Sequence, residues 1–188
     1  MDIQQLKKEL RDTLKKQRQE LSTIQLQAIS EKITQRLTAL SAFGNAMHIN
    51  CFVGDSTRNE INTIPLISSI LQLGKVASVP IMKDNYQLSF GQIFSIDDLV
   101  KNKWDIFEPK VECIPQVEPD LIIVPMLAAD VQKNRLGYGA GYYDRLLSRF
   151  DSCISIGIVA QSFIFKKLPT DFYDIPMDKI LTESSTIE

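Results

Sequence analysis

Between Asp120 and Pro125 the chain reads Leu121, Ile122, Ile123 and Val124, with no polar residue at alternate positions. A half-exposed strand alternates apolar and polar side chains, so an unbroken apolar run marks a strand buried on both faces. Such a strand needs a covering layer on each side. Helical spacing links Ile3, Leu6, Leu10, Leu14 and Leu21. After a capping box of Ser22 and Gln25 it links Leu26, Ile29, Ile33, Leu37 and Leu40. Residues 47–53 alternate as a strand, with His48 at a polar strand position, and lead into the polar loop 54–60. A helix is expected over about 62–73, closed by Gly74, followed by a strand at 76–80. Further strands are expected at 86–90, 153–160 and 179–182, the last being the final one. Ser95 and Asp98 should cap a short helix ending near Lys103, and 105–120, with three prolines, reads as a long loop. Tyr143, Leu146, Leu147 and Phe150 form one more helical stripe. Strands alternating with helices predict an α/β fold, a largely parallel sheet covered on both sides, in one domain spanning 1–188.

Composition narrows the chemistry. The 188 residues carry 21 basic and 23 acidic side chains, a net charge of -2, which argues against a general nucleic-acid or anionic-membrane binder. A chain of this length buries roughly 70% of its unfolded surface and needs neither disulfide nor metal to fold. No apolar stretch is long enough to span a bilayer, and the N-terminus is polar from Asp2 onward, without a signal-peptide core. Cys51, Cys113 and Cys153 are odd in number and lack CxxC spacing, which fits a reducing compartment and speaks against a cysteine zinc site. His48 is the only histidine, so Ser-His-Asp triads, HExxH sites and histidine-cluster metal sites are all excluded.

The segment 134–147, NRLGYGAGYYDRLL, carries the most chemistry. Gly137, Gly139 and Gly141 alternate just before a helical stripe, so backbone N–H groups can approach an anion closely. Arg135 adds forked donors suited to phosphate oxygens, and Asp144 stands where a carboxylate could hold Mg²⁺ against them. Together these suggest a nucleotide triphosphate. The alternative is a glycine-rich helix entry with Asp144 as an ordinary first-turn acid, and glycine spacing alone does not separate the two. A P-loop is excluded because GxxxxGK[ST] does not occur; GxGxG is not the GxGxxG of dinucleotide folds. Lys7 and Arg11 lie one helical turn apart and can reach one polyanion; a solvated basic face is the bland alternative.

The stretch VPMLAADVQKNRLGYGAGYYDRLL resembles the signature of the 5-formyltetrahydrofolate cyclo-ligases, also called methenyltetrahydrofolate synthetases. The N-terminal LKKELRDTLKKQRQELS, the element NEINT and the tail LPTDFYDIPMDKILTE are similar to that family in the same order, though weakly when taken singly. The resemblance implies a three-layer α/β/α sandwich in a cytoplasmic monomer. Its partners would be ATP and a reduced folate, with Mg²⁺, and neither nucleic acid nor membrane. It implies phosphorylation of the formyl oxygen of 5-formyltetrahydrofolate and ring closure to 5,10-methenyltetrahydrofolate, with release of ADP and phosphate. Arg135 and Asp144 would be catalytic. ATP would meet Lys7, Arg11, Arg135, Leu136, Gly137, Tyr138, Gly139, Ala140, Gly141, Tyr142 and Tyr143. Glu60 and Tyr142 would meet the folate, and Asp144 and Asp178 the metal. Lys8 competes with Lys7, and Asp174 with Asp178. Tyr143 reads as core, and Trp104 as a packing residue that a folate ring could also stack on. Two positions depart from the family: Ala140, where some members have lysine, and Lys133, where glycine is frequent. Two rival functions stand beside this one: a kinase or ligase for another small acid, and a folate- or nucleotide-binding regulator without turnover.

Overall fold

The computed structural model describes residues 2–111, 113–115, 118–150 and 152–188. Three helices lead: α1 (Ile3–Gln19), α2 (Thr23–Thr38) and the short α3 (Ser41–Asn45). Ser22 and Gln25 form both bonds of the capping box that starts α2. Next come β1 (His48–Cys51), α4 (Ile64–Gln72), β2 (Val76–Lys83), β3 (Gln87–Ile93), β4 (Leu99–Lys101) and β5 (Phe107–Pro109). The second half holds β6 (Leu121–Pro125), β7 (Ala128–Asp130), β8 (Arg135–Leu136), α5 (Tyr142–Leu147), β9 (Ile154–Ile158), β10 (Ile164–Phe165), β11 (Lys179–Leu181) and β12 (Thr186–Ile187).

The main sheet has the order β12-β11-β9-β6-β1-β2-β3. Its five inner strands run parallel, while β12 and β3 pair antiparallel at the two edges. The apolar run 121–124 lies at the centre of this sheet, and each of its four side chains is fully buried. One face packs Ile49, Cys51, Ile123 and Ile156 against Ile33 and Leu37 of α2, Phe43 of α3 and Ile67 of α4. The other packs Ile122, Val124 and Ile180 against Leu14 of α1 and Leu146 and Leu147 of α5. The three-layer sandwich is thus the observed architecture.

Three expectations need correction. The helix expected from Ser95 to Lys103 is a single 3-10 turn at Ile96–Asp98. The Asp98 carboxylate accepts the Phe94 and Ser95 N–H groups, and the chain then extends into β4. The long loop expected over 105–120 contains β5, which pairs with β4 in a hairpin; residues 112, 116 and 117 of that stretch lie outside the described residues. The strand at 179–181 is not the final one, because β12 folds back against its edge. His48 is wholly buried within the sheet, with Nε2 2.7 Å from Ser78 Oγ. Trp104 is half exposed beneath the Lys103 ammonium and so packs into no core. Among the described residues no helix is long and apolar enough to cross a membrane.

Candidate active site

A cleft of about 640 Å³ opens beyond the carboxyl ends of β1 and β6, where parallel α/β sheets take their ligands. Its walls come from α1, the loop after β1, the β4–β5 hairpin, the glycine segment and the loop 171–175.

The glycine segment is held from behind by Asp130. This carboxylate is fully buried. Its Oδ1 accepts the N–H groups of Gln132 and Asn134 at 2.9 and 3.0 Å, and its Oδ2 accepts that of Leu168 at 2.9 Å. The turn between β7 and β8 carries Lys133 at φ 67°, the left-handed conformation that explains why glycine would fit there equally well. Arg135 therefore emerges from a fixed turn. Its side chain is 5% exposed, and Nη2 donates to Asp144 Oδ1 at 2.5 Å. Its Nε is buried with no partner among the described residues. Gly139 and Gly141 adopt φ of +107° and +67°, so the backbone bends back on itself in front of Arg135. Helix α5 spans only six residues and stops at Leu147, short of Phe150, so the helix end adds less field than the stripe suggested.

Helix α1 supplies the facing wall. Arg11 Nε donates to the Gly137 carbonyl at 2.9 Å, and its guanidinium crosses Gly139. Burial lowers the Arg11 pKa, against the opposing pull of Asp174 and Asp12. Lys7 is 3% exposed and pairs with Asp174 at 2.5 Å, whereas Lys8 points to solvent. Asp174 also accepts the Asp171 N–H at 2.7 Å, and the Ile175 N–H reaches Asp144 Oδ1 at 3.2 Å. The Lys7–Asp174 and Arg135–Asp144 pairs are thus neighbours on one loop. Asp178 is placed elsewhere. Its Oδ2 accepts the N–H and Oγ–H of Ser155 at 2.7 and 2.8 Å, tying the approach of β11 to β9, and it does not line the cleft. Of the two acids, Asp174 is the one beside Asp144.

Glu60 reaches the cleft from the loop after β1. Its Oε2 accepts the Asp55 N–H at 3.0 Å, and its Oε1 accepts the Tyr138 hydroxyl. The Tyr138 oxygen in turn accepts Arg18 Nη1 at 2.7 Å. Burial, with the Glu60 charge beside it, raises the Tyr138 phenol above its ordinary range. Tyr142 lines the cleft edge-on to Tyr86. Tyr143 lines it too, rather than lying in the core alone, with the Arg135 guanidinium 5.9 Å from its ring. Leu136 belongs to the buried core and also lines the cleft. Ala140 is exposed on the cleft wall, and its carbonyl accepts from Arg145.

Arg18 and Asp130 escape the sequence reading, and of the loop 171–175 it singles out only Asp174, as the alternative to Asp178. Arg18 had a signal: it follows Arg11 by seven residues, which puts it on the same helix face. The loop has no periodicity to mark it.

The family model described as the 5-formyltetrahydrofolate cyclo-ligase family matches residues 3–183. A 5-formyltetrahydrofolate cyclo-ligase of Haemophilus influenzae is 29% identical over 184 residues, covering 94% of this chain and 97% of that protein. One from Escherichia coli K12 is 27% identical over 185 residues, covering 93% and 99%. The solution structure of Aquifex aeolicus 5,10-methenyltetrahydrofolate synthetase superposes with a TM-score of 0.84 at 30% identity, covering 96% of this chain and 91% of that one.

Proposed function

The chain belongs to the 5-formyltetrahydrofolate cyclo-ligase family, and from that premise we propose how its cleft closes the folate ring. The reaction converts 5-formyltetrahydrofolate to 5,10-methenyltetrahydrofolate. A formamide oxygen is a poor leaving group, so ATP is the natural second substrate. The formyl oxygen attacks the γ-phosphorus, and the bond to the ADP oxygen breaks. The other folate nitrogen then attacks the activated carbon with loss of its proton, and phosphate leaves. Phosphoryl transfer asks for positioning and charge neutralisation rather than for a histidine.

One observation carries this reading: Lys7, Arg11 and Arg135 surround a glycine-bent backbone with Asp144 and Asp174 beside them. Arg135 and Lys7 would neutralise phosphate oxygens, Arg11 would fix the glycine loop, and Tyr142 and Tyr143 would wall the reacting centre. With Ala140 in the glycine run, Lys7 is the lysine lining the cleft among the described residues. Those residues contain no cluster of three or more His, Cys, Asp or Glu able to hold a metal. Paired carboxylates suit Mg²⁺, which takes most of its oxygens from phosphate and water. Asp144 and Asp174 would hold it, and when bound it would supply charge for the developing phosphate oxyanions. Glu60 would accept the adjacent N–H and amino donors of the pterin. The free cysteines fit a reducing compartment such as the cytoplasm.

The test follows methenyl absorbance and ADP release together, with and without Mg²⁺. One ADP per ring closed, with both lost when the metal is chelated, is the expected outcome. ATP hydrolysis without folate at the coupled rate would overturn the reading.

A further inference from the structure

Arg18, Tyr138 and Glu60, from three elements, form one hydrogen-bonded chain, and the reaction as described uses only Glu60. The Tyr138 hydroxyl donates to Glu60 Oε1 and accepts Arg18 Nη1 at 2.7 Å. Arg18 is 8% exposed at the end of α1, far too buried for a solvated cation. Asn59, the residue before Glu60, donates to the carbonyls of Arg18 and Leu21 at 3.1 and 3.0 Å, so this loop is anchored to the same helix end. An ionised carboxylate offers about four lone-pair sites, two on each oxygen. Here each oxygen already takes one protein donor, Asp55 N–H on Oε2 and Tyr138 O–H on Oε1. One acceptor site then remains on each, the arrangement a pair of adjacent donors on a planar ring requires.

We infer that Tyr138, braced by Arg18, is a positioning residue that orients Glu60 for the pterin and so sets folate affinity from within the phosphate-binding loop. The inference rests on the reading of Glu60 as the pterin contact. It goes further because it assigns Tyr138 to the folate side, although its neighbours in sequence, Gly137 and Gly139, form the ATP side. Without the tyrosine hydroxyl, Glu60 Oε1 loses its only fixed donor from the glycine loop, and the side chain can rotate away from the bidentate pose. A tyrosine acting only as packing would not link the two subsites. Its phenol, raised by burial and by Glu60, stays protonated and remains a donor through the working pH range.

Steady-state kinetics on the full chain with 5-formyltetrahydrofolate and Mg-ATP tests this. Tyr138→Phe should raise the folate KM roughly three- to tenfold, with the ATP KM and kcat within about twofold. Arg18→Lys keeps the charge without the fork and should move the folate KM in the same direction by less. Glu60→Gln should raise it at least as much as Tyr138→Phe, and adding Tyr138→Phe to Glu60→Gln should change little further. If Glu60→Gln raises the folate KM while Tyr138→Phe leaves it alone, the positioning role is wrong and the pterin contact stands. Multiplying effects in the double variant, or an equal rise in both KM values for Tyr138→Phe, also overturns the positioning role. An unchanged folate KM in Glu60→Gln removes the pterin contact itself, and the positioning role with it.

Discussion

On one face of the sheet, Ile33, Leu37, Phe43 and Ile67 close over Ile49 and Ile123, and none of these six side chains is more than 1% exposed. On the other face α1 buries Leu14, but it also buries Lys7 at 3% and Arg18 at 8%, and β8 buries Arg135 at 9%. The same strands thus carry two kinds of cover. The aliphatic face gains from removing carbon from water and needs no partners. The charged face takes ions out of water, which costs more than most contacts return, so each ion must be matched. Lys7 is matched by Asp174 and Arg135 by Asp144, while Arg18 donates to the Tyr138 hydroxyl, which leads on to Glu60. A ligand bearing phosphates and a metal can exchange for those partners. A methyl group offers nothing to exchange.

The largest effect that follows belongs to the aliphatic face. Phe43→Ala should cost about 3–5 kcal/mol of stability by leaving a cavity beneath α3. Turnover measured well below the lowered Tm should stay within about twofold, because Phe43 does not line the cleft. Urea unfolding beside the methenyl assay reads both. A stability loss below about 1 kcal/mol, or a matching loss of kcat, would dissolve the contrast between the faces.

The charged face should respond the other way. Arg135→Met combined with Asp144→Leu removes both members of a largely buried pair, and such replacements are often neutral or stabilising. The double variant should unfold no earlier than the parent while losing about 100-fold or more in kcat/KM, which corresponds to about 2.7 kcal/mol of transition-state stabilisation. The single variant Asp144→Asn should be the less stable one, because it leaves the Arg135 charge buried without its carboxylate. It should also need more Mg²⁺ for half-maximal activity. Calorimetry of the three proteins orders them; a double variant less stable than Asp144→Asn would show the pair to be structural first and functional second.

The two faces also differ in how far they can be read from the sequence. The stripes of α2 and α4 are periodic because one side of each packs on the sheet, and the run 121–124 is unbroken because both of its faces are covered. Their positions follow from spacing alone. The capping box at Ser22 and Gln25 is equally local. The charged face is written in single residues whose partners are distant in the chain: Lys7 meets Asp174, and Arg18 meets Tyr138. No local rule pairs them. That is why the sequence favours Asp178 over Asp174, although the fold sets Ser155 beside the one and the cleft beside the other. The Ser95–Asp98 cap misled for a related reason: a true cap starts a turn, but the pairing of β4 with β5 decides whether a helix continues.

Glycine sharpens the comparison at smaller cost, because one substitution should act on different quantities in the two regions. Gly139 has φ of +107°, and a Cβ there would stand 3.3 Å from the Arg11 guanidinium carbon. Gly139→Ala should therefore strain the loop by about 1–3 kcal/mol. The loop can relieve that strain by moving, so the ATP KM should rise with little change in global stability. Gly44 lies inside α3, and a Cβ there meets nothing within 4 Å. Its carbonyl accepts from Lys75 at 2.9 Å, a bond that alanine retains. Gly44→Ala should stabilise the fold by about 0.5–1 kcal/mol, because alanine loses less backbone freedom on entering a helix. Activity should be untouched. Paired urea titrations with ATP KM measurements decide both cases. If Gly44→Ala destabilises, α3 needs a conformation at residue 44 that alanine resists. If Gly139→Ala leaves the ATP KM where it was, the positive φ is not what shapes the phosphate-binding loop, and Arg11 alone must hold it.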